Sequence, residues 1–258
     1  MGKRILITGA GSGFGKGAAL GLAKKGHQVI ACVQIEPQKS DLLQEAKSLG
    51  VEFEILVLDI TTPSDRQFIF HKEIDVLINN AGIMETGPVA DIPMENVRRN
   101  FEVNVFGSLE IAKGFLPQMV KRGSGKVIFV SSMGGLITVP FAAIYTATKH
   151  AMEGLAEGLK DELAGTGVEI CTINPGAYGT GFNDRGVETM MKWFDPAKSL
   201  STAETIQAVL GAGSLDHQFD PQGLIDAMIR IAEEDNSLFR NVLPEAIIPW
   251  IKATQERT

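Results

Sequence analysis

With 258 residues, 44% of them hydrophobic, the chain has the length and composition for one large core, and a single domain over 1–258 is expected. Its net charge of −7 argues against nucleic acid, whose partners carry a clustered basic face, and no run approaches the roughly 18 apolar residues of a membrane span, so the expectation is a cytoplasmic chain without a membrane partner. Two distant cysteines in apolar segments, Cys32 and Cys171, suggest no disulfide framework, and four isolated histidines, His27, His71, His150 and His217, show no ligand spacing, so no metal is expected.

Short apolar runs recur along the chain: "RILIT" at 4–8, "QVIACV" at 28–33, "FEILVL" at 53–58, "DVLIN" at 75–79, "KVIFVS" at 126–131 and "EICTI" at 169–173. Their hydrophobicity is continuous rather than alternating, as in strands buried on both faces. Helical patterns fall between them at 13–25, 38–49, 64–71, 94–122 and 144–164. Strand then helix, repeated, predicts right-handed crossovers and a doubly wound α/β fold, a mostly parallel sheet with helices on both faces. Such sheets bind ligands at the carboxyl ends of their strands.

After 174 the pattern loosens into a stretch rich in Gly, Thr and Ser, expected to be a variable substrate loop over about 176–220. "PQGLIDAMIRIAEED" then restores helical periodicity, and "LFRNVLPEAIIPWIKATQER" reads as a last strand and helix, which brings the sheet to about seven strands. The loop offers Met190, Met191, Trp193 and Phe194, either as a lid on an apolar substrate or as packing on the protein itself. Met133, Ile137 and Tyr178 are further pocket candidates, and Arg185 is either solvated or a contact for an anionic group.

The stretch "TGAGSGFG" at 8–15 joins the first strand to the first helix. Glycines in such a turn let backbone N–H groups approach a pyrophosphate at the helix N-terminus, although a tight turn alone would use them too. With it come "NNAG" at 79–82, Asn104 in the long helical segment, Ser132 after the fifth run, Tyr145 and Lys149 four residues apart, and "PG" at 175–176 with Thr180 beyond. In order and separation these motifs resemble the short-chain dehydrogenase/reductase family, over residues 3 to about 180 and the final strand. The four-residue step from Gly9 to Gly13 is similar to its oxidoreductase branch.

The resemblance implies a Rossmann-type fold, a nicotinamide cofactor and an alcohol or ketone substrate, which the apolar loop and pocket candidates suggest is a small or medium, partly apolar secondary alcohol or ketone. Gly9, Ser12, Gly13, Phe14, Gly15, Gln34, Asp59, Ile60, Asn80, Ala81, Gly82, Pro175, Gly176 and Thr180 are then the expected cofactor-binding residues, joined by Tyr145 and Lys149. Asn104, Ser132, Tyr145 and Lys149 are the expected catalytic group. A ketone gaining hydride leaves an oxyanion that must be protonated, which calls for a group of tunable pKa at that oxygen. Tyrosine titrates near 10, and an ammonium one helical turn away favours its phenolate. By the resemblance, Lys149 also bonds the nicotinamide ribose, Ser132 donates to the substrate oxygen, and Asn104 holds a relay water. Asp59 is implied at the adenine amino group and Thr180 at the carboxamide.

Cofactor choice turns on the end of the second strand, where an acid accepts from a ribose 2′-OH and a cation neutralises a 2′-phosphate. Here stand Val33 and Gln34, with neutral Ser12 at another family position and Lys39 as a candidate cation to swing in, so NAD or NADP is expected with a lean to NAD. The segment between Asp59 and Asp75 is shorter than in relatives, which predicts altered packing rather than lost chemistry. The helical segments at 94–122 and 144–164 resemble those through which relatives form homodimers and homotetramers. A non-enzymatic dinucleotide sensor is the competing reading.

Overall fold

The computed structural model describes residues 2–202, 204–206 and 218–257. His217 and the part of the variable loop at 207–217 lie outside the described residues. Seven strands form one sheet: β1 (Arg4–Thr8), β2 (Gln28–Val33), β3 (Glu54–Val57), β4 (Val76–Asn79), β5 (Gly125–Val130), β6 (Val168–Pro175) and β7 (Arg240–Leu243). Their order is β3-β2-β1-β4-β5-β6-β7, and every pairing is parallel. In register, Ile7 of β1 lies between Ala31 of β2 and Ile78 of β4.

The continuous apolar runs have a simple cause. Successive strand side chains point to opposite faces, and both faces are covered. Ile5, Ile7, Val76, Ile78, Ile128 and Cys171 join a core with α1 (Gly13–Lys24), α2 (Glu36–Ser48) and a helix at Gln222–Glu233, which is α8 below. Leu6, Leu77, Val127, Phe129 and Ile170 join the opposite core with α3 (Pro63–Ile69), α5 (Ser108–Arg122) and α6 (Ala143–Glu162). Both cysteines are buried free thiols, and burial pushes each up to about 12.

Two expectations change. The helical pattern at 94–122 is not one uniform helix: α4 (Met94–Phe101) passes into a π-helical segment, Glu102–Gly107, before α5 begins. The looser turn holds Asn104 buried, and such segments recur at functional sites. The stretch after β6 is also less irregular than its composition suggests, because α7 (Phe182–Met191) forms within it. The chain ends on α9 (Ile248–Gln255). Among the described residues no helix is long and apolar enough to cross a membrane, and no cluster of His, Cys, Asp and Glu could hold a metal ion.

Candidate active site

Strand order reverses between β1 and β4, and a cleft of about 670 Å³ opens there at the carboxyl ends of the strands. Gly9, Ser12, Gly13 and Phe14 of the first turn line it. Gly9 has φ +66°, and a Cβ there would lie 2.7 Å from the Cα of Ala81. Gly13 has φ +53° beneath the side chain of Thr180. A side chain at either position would strain the backbone and fill the turn, so these glycines form a cradle that suits a pyrophosphate. Gly15 does not reach the cleft. It is buried behind the turn, where a Cβ would meet Asn80 Nδ2 at 2.5 Å and the Gly9 carbonyl at 2.6 Å.

Thr8, quoted above only as a motif letter, holds the "NNAG" segment in place. Its Oγ1 accepts from the N–H groups of Asn80 and Ala81, both at 3.0 Å. Asn80 Nδ2 donates back to the carbonyls of Thr8 and Gly9 at 3.0 and 3.1 Å, and Asn79 Nδ2 donates to the Ser108 carbonyl at 2.6 Å. Asn80, Ala81 and Gly82 are thereby fixed along the cleft wall.

Gln34, Asp59 and Ile60 line the outer end. Burial alone would raise Asp59. Hydrogen bonds from the hydroxyl and N–H of Thr61, at 2.7 and 2.9 Å, and from Gln34 Nε2 at 3.4 Å hold it below the usual carboxylate value instead. Gln38, not singled out in the sequence, lies over Gly11 and accepts from the Gln34 N–H at 2.9 Å. Lys39, the candidate cation, is not among the lining residues. Helix α2 begins at Glu36, two residues before the periodicity suggests, and this register presents Gln38 instead.

At the inner end β5 delivers Ser132, α6 delivers Tyr145 and Lys149, and β6 delivers Pro175 and Gly176, with Thr180 beyond; all six line the cleft. Tyr145 is buried, and burial pushes its phenol up to about 12 against a hydrogen bond with Ser132 that pulls it down. Burial pushes Lys149 down to about 8, opposed by the charge of Glu153. Lys149 Nζ stands 5.7 Å from the Tyr145 ring centroid. The expected lowering of Tyr145 is therefore not seen with the protein groups alone: burial dominates, and the group that opposes it is Ser132 rather than Lys149.

Asn104 is brought to the site but not into the cleft. Its amide clamps Ile83, accepting from the N–H at 2.8 Å and donating to the carbonyl at 2.8 Å, and also donates to Thr148 Oγ1 at 3.0 Å. These bonds join the segment after Gly82 to α6. Glu153, unremarked in the sequence, is buried on the same helix. It accepts from Asn174 Nδ2 at 2.7 Å and from Arg240 Nε at 2.8 Å, while Asn174 Nδ2 also donates to the Ser132 carbonyl at 3.2 Å. The signal was present in the spacing, since Tyr145, Lys149 and Glu153 recur every fourth residue on one helix face.

The substrate half is walled by Met84, Met133, Val139, Pro140, Phe182 and Val187. Phe182, also unremarked in the sequence, tilts towards Tyr145 with ring centroids 5.8 Å apart. Tyr178 lines the cleft and packs edge-on against Phe14 at 5.4 Å. Ile137 is buried away from it. Of the two readings for the loop, packing prevails for Met190 and Trp193, which close against Gly87, with Phe194 edge-on to Trp193 at 6.3 Å. Met191 points to solvent, 68% exposed.

Comparison with known proteins agrees with this geometry. The chain is 35% identical over 250 residues to the uncharacterized oxidoreductase YusZ of Bacillus subtilis, covering 92% of this chain and 87% of that one. A short-chain dehydrogenase structure from Streptomyces avermitilis superposes with a TM-score of 0.81 at 28% identity, covering 100% of this chain and 94% of its own. A putative NAD(P)-dependent gluconate 5-dehydrogenase from Beutenbergia cavernae, with bound NADP, gives a TM-score of 0.74 at 25% identity, covering 90% and 89%. The family model described as short chain dehydrogenase matches residues 3–190. By sequence and by fold, this chain belongs to the short-chain dehydrogenase family.

Proposed function

We propose that residues 1–258 act as one oxidoreductase domain interconverting a secondary alcohol and a ketone, with Tyr145 as general acid and base. The observation that carries this reading is the meeting of Tyr145, Ser132 and Lys149 at the inner end of a cleft whose outer end is a glycine cradle. A nicotinamide dinucleotide fits that cleft and, when bound, supplies hydride exchange. Gly9, Ser12, Gly13 and Phe14 would take its pyrophosphate; Gln34, Asp59 and Ile60 its adenosine; Pro175, Gly176 and Thr180 its nicotinamide; and Lys149 the nearby ribose.

The residues divide the remaining work by their chemistry. Ser132 Oγ accepts from the Gly134 N–H at 3.0 Å, which leaves its own proton to donate to the substrate oxygen. Tyr145, held protonated near neutral pH, gives its proton to the oxygen of a reacting ketone and takes one back from an alcohol. Lys149 in its charged form stabilises the phenolate that each transfer leaves or requires. Asn104 and Glu153 hold the surrounding backbone and helix.

Preference for NAD follows from the outer end, where Gln34, Gln38 and Asp59 offer hydrogen bonds to a 2′-OH and no cation lines the wall among the described residues. A 2′-phosphate there would face the Asp59 charge. The faces of α4–α5 and α6 are the proposed contacts of a homodimer or homotetramer, with Phe106 exposed on the π segment. A sedimentation mass equal to one chain at high concentration would remove that part. The test of the function is nicotinamide absorbance over a panel of ketones and secondary alcohols, with NAD and NADP in parallel. Turnover favouring NAD is expected; cofactor binding with no turnover across a broad panel would count against it.

A further inference from the structure

Charge is unevenly spread along the cleft. Asp59 stands at the outer end, and past Lys149 the substrate half is walled by apolar groups with one further charged residue, Arg185. Arg185 is exposed at this wall, and its side chain makes no hydrogen bond or ion pair among the described residues. Acids are close at hand in sequence: Asp184 accepts from Gln218 at 3.5 Å, and Glu188 lies three residues on, yet neither pairs with it. Elsewhere in this acidic chain Arg4, Arg99, Arg122, Arg230 and Arg240 have a carboxylate within 4 Å; Arg66, Arg98 and Arg257 have none among the described residues, but none of these three lines the cleft.

Position gives the free guanidinium a direction. Phe182 and Arg185 are three apart on α7, hence neighbours on one face, and Phe182 faces Tyr145 across 5.8 Å. A substrate whose carbonyl meets Tyr145 therefore runs past Phe182 towards Arg185. The planar fork of arginine matches a carboxylate or phosphate two bonds at a time.

We infer that Arg185 is the anion-binding group of the substrate half, and that the substrate is an amphipathic oxo acid or its hydroxy counterpart, with an apolar segment between the reacting carbon and the anionic end. This rests on the alcohol–ketone reading of Tyr145. The guanidinium folds back over Gly181, where a Cβ would lie 3.2 Å from Nη1, and Thr180 beside it covers Gly13. The other source of the same oxyanion chemistry is thus the cofactor's own pyrophosphate, and the experiment separates the two.

Affinities of 4-, 6- and 8-oxodecanoate and of their methyl esters are measured by calorimetry on the NAD-saturated protein, for the native chain, Arg185→Gln and Arg185→Lys, together with each protein's affinity for NAD. At least one acid should bind the native protein about tenfold or more tightly than its ester, the worth of a charge-assisted bond. Arg185→Gln should bring that acid down to its ester while NAD affinity stays within twofold, and Arg185→Lys should keep part of the preference. No preference for any acid overturns the inference. So does a tenfold loss of NAD affinity in Arg185→Gln with the preference intact, which assigns the guanidinium to the pyrophosphate. Nicotinamide absorbance in parallel samples holding NADH in place of NAD, the form that can reduce a ketone, separates the two claims: acid-selective binding without turnover supports the Arg185 contact and counts against the alcohol–ketone reading.

Discussion

Lys149 Nζ donates a 2.8 Å hydrogen bond to the carbonyl of Val130, which ties the catalytic face of α6 to the end of β5. Burial holds this lysine at about 8, well below its unfolded value. Between those two values the unfolded chain binds more protons than the folded one, so this lysine makes stability rise with pH there and weighs fully against folding below it. From pH 7.5 to 9.5 the native chain should gain about 2 kcal/mol relative to Lys149→Met. Urea unfolding of both proteins at the two pH values checks this; parallel curves would show that Lys149 is not held low.

Asn104 carries both backbone groups of Ile83, and truncation would leave them unpaired in the half-buried cleft wall. Asn104→Ala should cost about 2–4 kcal/mol, two unmet polar groups at 1–3 kcal/mol each with partial relief from water. Activity should fall at least tenfold, since Gly82 and α6 lose their common clamp. A change below about 0.5 kcal/mol in urea unfolding would show that Asn104 is dispensable to this wall.

Glu153 faces Lys149 on its own helix, Asn174 on β6 and Arg240 on β7. Glu153→Gln keeps the shape and an acceptor for Asn174 but removes the charge that holds Lys149 up. The alkaline limb of kcat against pH, where the ammonium is lost, should move to lower pH. A purely structural role would lower kcat and leave the limb in place.

Gln38 lies over the Gly11 turn at the adenosine end, where no cation lines the wall among the described residues. Gln38→Arg should strengthen NADP binding about tenfold or more relative to NAD, as expected for a charge-assisted bond to the 2′-phosphate. Fluorescence titration of both cofactors measures the ratio, and an unchanged ratio would place the 2′-position elsewhere.

Much of this architecture is legible in the chain because local rules suffice for it. Ile5, Leu6 and Ile7 must all be apolar when both faces of β1 are covered, and Gly9 and Gly13 must lack side chains in a turn of positive φ. Other features depend on partners remote in sequence. The π segment carries Asn104 against Ile83, a contact that no helical periodicity encodes. Met190 and Trp193 read equally as lid or packing until Gly87 is found opposite them. Tyr145 and Lys149 are recognisable as a pair, but the direction of each shift depends on burial, which spacing does not convey.

The most direct test of the account is Tyr145→Phe, compared with the native chain for turnover of a reactive alcohol or ketone and for cofactor affinity. The variant keeps the ring packed against Phe182 and loses only the hydroxyl. A loss of kcat of about 100-fold or more, the scale of general acid–base catalysis, with cofactor affinity within twofold, is the predicted result. Turnover surviving in the variant would contradict the assignment of the proton to Tyr145.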